Sequence, residues 1–165
     1  MSANAPSTSA YPCEWPAEIT ETINAEALLL AQEKDVQDFL TIRSEDEAIP
    51  AAFERRFFNL RVKLHEAGRK IGLVSKEISE GNIIGIAVMF DEALKDKLLG
   101  FGVSAANVDP KKVKILDALI DGAFKTGVKE GMAEARQLAK KAEAVAELGD
   151  AWFKLEVPKP VEDKK

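Results

Sequence analysis

An unbroken heptad repeat of apolar residues constrains the fold of this chain more than any other feature of the sequence. Apolar side chains recur at alternating steps of four and three residues over nearly four heptads, the spacing that turns them towards one partner helix. This heptad seam consists of Phe53, Phe57, Leu60, Leu64, Ala67, Ile71, Val74 and Ile78. The pattern predicts a long helix, but it fits a partner helix in the same chain and one in another subunit equally well.

The residues before the seam predict one helix and then a capped start. Asn24 is a favourable N-cap for a helix that runs to about Leu40. Ser44 and Glu47 have the spacing of a capping box, and Pro50 suits a first helical turn. We therefore expect the seam helix to begin near Ile49, to continue through the last seam residue and to close at Gly81-Asn82.

Two more elements follow the seam helix. The segment Ile83–Leu99 has helical spacing, although its β-branched opening also suits a short buried strand. Asp109-Pro110 is an N-cap with proline at the first helical position, and the helical pattern then continues to about Leu148 and ends at Gly149. Such a helix would be roughly 58 Å long, too long to be buried in a compact domain of this size. We predict an all-α bundle of four to five helices, with one long C-terminal helix antiparallel to the seam helix.

Small residues recur every fourth position along the predicted C-terminal helix. This ridge consists of Gly127, Gly131, Ala135 and Ala139. Glycine destabilises a helix, so two glycines on one stripe favour close packing of another helix backbone over simple helix propensity. The helix that packs there is either intramolecular or part of another subunit.

The chain is predicted to have one domain between two arms. Residues 1–22 form a flexible Pro/Ser-rich arm, 23–156 a single helical domain and 157–165 a charged disordered tail. Prolines alternate with Tyr11 and Trp15, which excludes a helix interior. The arm either docks these two aromatic residues on a neighbouring subunit, or lies on its own domain or without fixed structure.

Charge is distributed unevenly along the chain. Residues 1–53 carry ten acids and two bases, whereas residues 54–76 carry seven bases and two acids. The basic stripe beside the seam consists of Arg55, Arg56, Lys63, Arg69, Lys70 and Lys76. It either pairs with acids of the N-terminal segment, docks on an acidic protein partner, or contacts the phosphates of nucleic acid. Lys111, Lys112 and Lys114 form a smaller cluster that hints at another anionic contact.

The sequence lacks the residue combinations of the common catalytic and metal sites. It has one cysteine, Cys13, and one histidine, His65, which leaves neither a zinc site nor a plausible nucleophile with its base. The segment Gly122–Gly127 lacks the Lys-Ser/Thr pair of a phosphate-binding loop. We therefore expect no metal, no cofactor and no enzymatic activity.

These features together predict a non-catalytic structural or adaptor protein that acts through helix–helix contacts. Its partner is a second copy of itself or another protein subunit, in an oligomer or a larger assembly such as a virus particle. The alternative is a nucleic-acid-binding accessory protein that uses residues 55–76.

The longest apolar run, Ile83–Phe90, is far shorter than the roughly 20 residues of a membrane span, and Met1–Ala10 has no signal-peptide pattern. The expected location is the cytoplasm, a virion or another assembly.

Overall fold

The fold of this chain is a bundle of α-helices. The computed structural model describes residues 15–47 and 49–156, with side chains as far as Gly149, and this part is 83% helical without a strand. Its helices are α1 (Ala17–Ala31), α2 (Lys34–Thr41), α3 (Pro50–Leu73), α4 (Ile83–Gly100), α5 (Pro110–Leu119) and α6 (Lys125–Glu156). A π-helical turn, Ile120–Phe124, joins α5 and α6 into one long rod. The prediction of an all-α bundle with a long C-terminal helix is confirmed. Residues 1–14 and 157–165, in the predicted arms, lie outside the described residues.

The N-terminal part differs from its prediction. The single helix expected over residues 24–40 is wrong, because α1 and α2 are separate helices. Helix α1 begins directly after Pro16, so residues 17–22, which were predicted to belong to the arm, are helical. At the break, the side-chain amide of Gln37 takes the place of a helix amide and donates to the carbonyl of Ala31 at 2.9 Å. The change of direction lets the apolar side of α2 enter the same core as that of α1.

Helix α3 begins at Pro50 as expected, but its predicted capping box is wrong. The amide and hydroxyl of Ser44 donate to the carboxylate of Asp109, at 2.6 and 2.7 Å. The carboxylate of Glu47 is occupied by Arg56 and Lys112. Partners distant in sequence have therefore displaced the local pairing.

Helix α3 also ends earlier than the seam does. It stops at Leu73, whereas the seam predicted a helix that includes Ile78. The hydroxyl of Ser75 donates at 2.7 Å to the carbonyl of Ile71, which also accepts from the amide of Val74 at 3.2 Å at the helix end. Val74 and Ile78 lie beyond the helix but still pack against the core. Gly81-Asn82 belongs to a short 3₁₀ turn before α4 rather than to the end of α3.

The C-terminal rod combines a confirmed start with an unexpected turn. Asp109 caps α5 by accepting from the amide of Lys111 at 3.0 Å, as predicted. Five large apolar residues buried along the rod recur every four positions, and they are Leu116, Ile120, Phe124, Val128 and Met132. In an α-helix, residues four apart differ in direction around the helix axis by about 40°. The π-helical turn has more residues per turn, so it rotates the apolar side chains back towards the core. The rod continues past Gly149, its predicted end, to Glu156.

The direction of the long C-terminal rod corrects another prediction. Helices α3 and α6 pack against each other most extensively, but they are parallel rather than antiparallel. His65 lies against Gly127, Gly72 lies against Gly131, and Arg136 donates to the carbonyl of Ile78, so both residue numbers rise together. The physical reason is that two chain reversals, one on each side of α4, separate these helices.

Candidate interaction surfaces

The heptad seam lies inside the core of its own chain. Four of its members are buried: Leu60, Leu64, Ala67 and Ile71. The other four are half-buried and pack against the same core. At its start, the ring of Phe53 stacks on the rings of Phe39 and Phe57, with centroids 5.9 and 6.2 Å away. The seam is thus covered mainly by the chain's own helices and offers little surface to another subunit.

The small-residue ridge packs α6 directly against the backbone of α3. A Cβ atom added to Gly127 would overlap the carbonyl oxygen of His65, and one added to Gly131 would overlap that of Arg69. Ala135 is also buried, whereas Ala139 is half-buried at the edge of the domain. The helix that meets the ridge is therefore intramolecular.

Helix α3 contributes two matching glycines that the sequence reasoning did not assign to this contact. A Cβ atom on Gly68 would overlap the carbonyl oxygen of Phe124, and one on Gly72 would overlap that of Val128. Each helix therefore carries two glycines four residues apart at the crossing. The four-residue spacing of Gly68 and Gly72 was the available signal, because it matches that of the ridge.

The basic stripe is divided between ion pairs and free charges. Arg56 pairs with Glu47 at 2.6 Å and Lys63 with Glu33 at 3.6 Å, both acids of the N-terminal segment. Arg69 pairs instead with Glu66 and Glu134, at 2.8 and 3.0 Å. The remaining members, Arg55, Lys70 and Lys76, are exposed and form no ion pair with the described residues.

One lysine of the second basic cluster lies in the interior rather than at an anion site. Lys112 is 1% exposed, and its ammonium donates to the carbonyls of Phe39 and Ile42 and to the carboxylate of Glu47 at 3.0–3.2 Å. It also lies 4.7 Å from the centre of the Phe39 ring. Burial alone raises the pKa of Glu47, but the hydrogen bonds and charges of Lys112 and Arg56 outweigh it and lower that pKa. This network ties α2, α3 and α5 together and is a structural element of the fold.

Further ion pairs reinforce the crossing of α3 and α6. Hydrogen bonds from Arg69 lower the pKa of Glu66, while Glu66 and Glu134 together raise the pKa of Arg69. His65, which is partly exposed, lies with its Nε2 atom 2.9 Å from a carboxylate oxygen of Glu130. These polar contacts flank the glycines, so they orient the two helices at the crossing.

The C-terminal end of α6 extends beyond the bundle. Every residue from 140 to 148 is exposed, and the helix continues to Glu156. We call residues 140–156 the α6 overhang. Three apolar side chains, one just before the overhang and two within it, are exposed: Leu138 (53%), Val145 (66%) and Leu148 (69%). An exposed apolar stripe on a helix that runs past its bundle is a candidate docking surface.

The predicted docking arm is described at only one of its two aromatic residues. Trp15 is half-buried and packs against the core of its own chain. Tyr11 lies outside the described residues. For Trp15, the observed contact is thus with its own domain.

Within the described part of the chain, no helix is long and apolar enough to cross a membrane, and no group of three or more potential ligands is placed to hold a metal ion. Comparisons with protein-family models, curated protein sequences and solved structures found no match to this chain. Its function is therefore argued from its surfaces.

Proposed function

We propose that this protein is a non-catalytic structural or adaptor protein that acts through helix–helix contacts, as an oligomer or as a subunit of a larger assembly. The observation that carries the proposal is the α6 overhang. Its 17 residues extend the helix by about 25 Å. Most helical stability in proteins comes from packing of an apolar side, and the exposed side chains of the overhang lack such packing within the domain.

The apolar stripe of the overhang continues the side of α6 that faces α3. Gly131 and Ala135 lie on that side within the domain, and Leu138, Ala142 and Val145 follow at steps of three, four and three residues. Since α3 ends at Leu73, the stripe runs on past the end of its intramolecular partner. A helix from another subunit would take the place that α3 occupies inside the domain.

The order of charges along the overhang supports a second copy of this chain as the partner. Over residues 140–148, Lys140 and Lys141 come first and Glu143 and Glu147 follow, and Asp150, Lys154 and Glu156 come later. Two overhangs that overlap antiparallel over residues 140–148 would bring the lysines of one to the level of the glutamates of the other, whereas parallel overhangs would align like charges. Antiparallel packing also opposes the two helix dipoles favourably. Each effect is worth only some tenths of a kcal/mol, so it sets orientation while apolar burial supplies the affinity.

Light scattering coupled to size exclusion tests the proposal on the full chain. At tens of micromolar we expect a defined oligomer, and we expect the double variant Leu138→Glu/Val145→Glu to be monomeric with unchanged helix content. The matched control Ala133→Glu/Gln137→Glu adds the same charges to exposed positions off the stripe and should keep the oligomer. A wild-type protein that is strictly monomeric at this concentration would refute the proposal.

The second candidate function is nucleic-acid binding, and the three free cations of the basic stripe favour it. Arg55, Lys70 and Lys76 are exposed, whereas the paired members of the stripe are less available to phosphates. Replacing these three by glutamate should abolish a mobility shift at low salt, and binding should weaken steeply as salt rises. The absence of any shift with the wild-type chain at low salt would exclude this function.

A further inference from the structure

A groove of about 560 Å³ runs beside the π-helical turn, between α3 and the C-terminal rod. Its volume lies within the range of small-molecule sites. The apolar part of its lining consists of Val62, Ala118, Leu119 and Ala123. Side chains of Arg61, His65 and Thr126 add polar groups. Apolar surface with a few polar groups is the usual composition of a ligand site.

Gly122 keeps this groove open without being required by packing. It lines the groove, it is exposed, and a Cβ atom added to it would meet nothing within 4 Å. Its φ is not positive, since Gly102 is the glycine with a positive φ in the described chain. Gly127 and Gly131, by contrast, are required by the contact with α3. Glycine costs a helix about 1 kcal/mol relative to alanine, so the groove stays open at the expense of helix stability. The π-helical turn beside it is a type of turn that is frequent at functional sites.

The guanidinium of Arg61 is the charged group of the groove that has no partner among the described residues. Arg61 forms no hydrogen bond or ion pair with the described residues. The carboxylate of Glu66, which also lines the groove, accepts two hydrogen bonds from Arg69, at 3.0 and 2.8 Å. His65 already contacts Glu130. A free guanidinium beside apolar surface suits a ligand with an acidic group, to which it can donate two parallel hydrogen bonds.

We propose that this groove binds a small molecule with an apolar body and one anionic group, and that Arg61 holds the anionic group. The apolar body lies along Leu119 and Ala123, in the space that the missing side chain at Gly122 leaves free. This site is independent of the α6 overhang and of the proposed assembly function.

Two fluorescent probes test the site on the full chain. 8-Anilinonaphthalene-1-sulfonate has an aromatic apolar body and an anionic group, and N-phenyl-1-naphthylamine has the same body without the charge. We expect saturable binding of the sulfonate, with amide chemical-shift changes at His65, Gly122 and Thr126. Arg61→Gln should weaken the sulfonate about tenfold, the value of a charged hydrogen bond, and leave the neutral probe within about twofold.

Groove-filling variants separate this site from nonspecific dye binding. Gly122→Leu should weaken both probes at least tenfold without lowering the melting temperature, because a Cβ atom at this position meets nothing within 4 Å and leucine favours the helix. Ala118→Leu, a second filling variant, should act in the same direction. Gly100→Leu, at a glycine with equally open surroundings on α4, should bind both probes as the wild type does. Wild-type affinity in both filling variants, shifts confined to residues elsewhere, or no saturable binding up to about 1 mM would overturn the proposal.

Discussion

The glycine crossing of α3 and α6 predicts that one substitution has opposite effects at two positions of the same rod. In Gly131→Ala, the new Cβ would overlap the carbonyl oxygen of Arg69 and lie 3.0 Å from the Cα of Gly72. Both obstacles are backbone, so they cannot rotate away, and the helices must move apart. In Gly122→Ala, the new Cβ would have nothing within 4 Å.

The change in the free energy of unfolding of Gly131→Ala is the cost of overpacking minus the gain in helix propensity. Overpacking against a rigid neighbour costs about 3 kcal/mol, and a separation of 0.5–1 Å forfeits a quarter to a half of each dispersion contact along the crossing. The better helix propensity of alanine returns about 1 kcal/mol. The net loss for Gly131→Ala is therefore about 2 kcal/mol, or a melting temperature lower by about 4–8 °C for a protein of this size. Gly122→Ala lacks the cost, so its melting temperature should equal that of the wild type or exceed it by up to about 4 °C.

Calorimetry or thermal melts followed by circular dichroism would measure both variants at one protein concentration, because oligomerisation makes melting temperatures depend on concentration. Gly127→Ala provides an independent repeat, since its Cβ would overlap the carbonyl oxygen of His65. If Gly131→Ala and Gly127→Ala melt at or above the wild-type temperature, the helices do not approach as closely as described and the reasoning fails.

Two further predictions concern the polar contacts that hold α3 and α5 in place. Glu47→Ala leaves the buried Lys112 and Arg56 without their carboxylate and should lower the free energy of unfolding by about 3 kcal/mol in urea titrations. The control Glu45→Ala, which removes only an exposed pair with Arg43, should change it by less than about 1 kcal/mol, and equal effects would contradict the assignment. Hydrogen bonds from Ser44 and from the Lys111 amide lower the pKa of Asp109 from 3.8 to about 2. Since the folded-state pKa is the lower one, this contact stabilises the protein above pH 3.8 and is lost as the pH falls towards 2. The urea midpoint of the wild type should therefore drop more than that of Asp109→Asn between about pH 5 and about pH 2.5, and parallel curves would contradict the contact.

Features that depend on neighbouring residues were predictable from the sequence. The Asp109-Pro110 start of α5 and the Pro50 start of α3 follow from local capping chemistry. The helical state of residues 83–99 was also favoured, and α4 confirms it. The four-residue spacing from Leu116 to Met132 was an available signal for the π-helical turn, because over four such steps an ordinary helix would rotate the apolar stripe by about 160° around its axis.

Features that depend on distant partners were not predictable in this way. Ser44 and Glu47 match a capping box, yet each has a better partner: Asp109 for Ser44, and the buried Lys112 for Glu47. The same buried partner explains why Lys112 is not an anion site. Local spacing shows which side chains are able to pair, but the tertiary structure determines which of the competing partners comes within reach.

The spacing of residues along the chain indicated which sides of the helices pack closely: the heptad seam lies on the core side of α3, and the glycines of the ridge lie on the contact side of α6. The packing of these two helices against each other was also predicted, but their parallel direction became clear only from the fold. A periodic pattern specifies a face of a helix but carries no information on the direction of the helix opposite. That direction follows from the reversals of the chain around α4, and the same topology lets α6 run past the end of α3 and leaves its apolar stripe exposed.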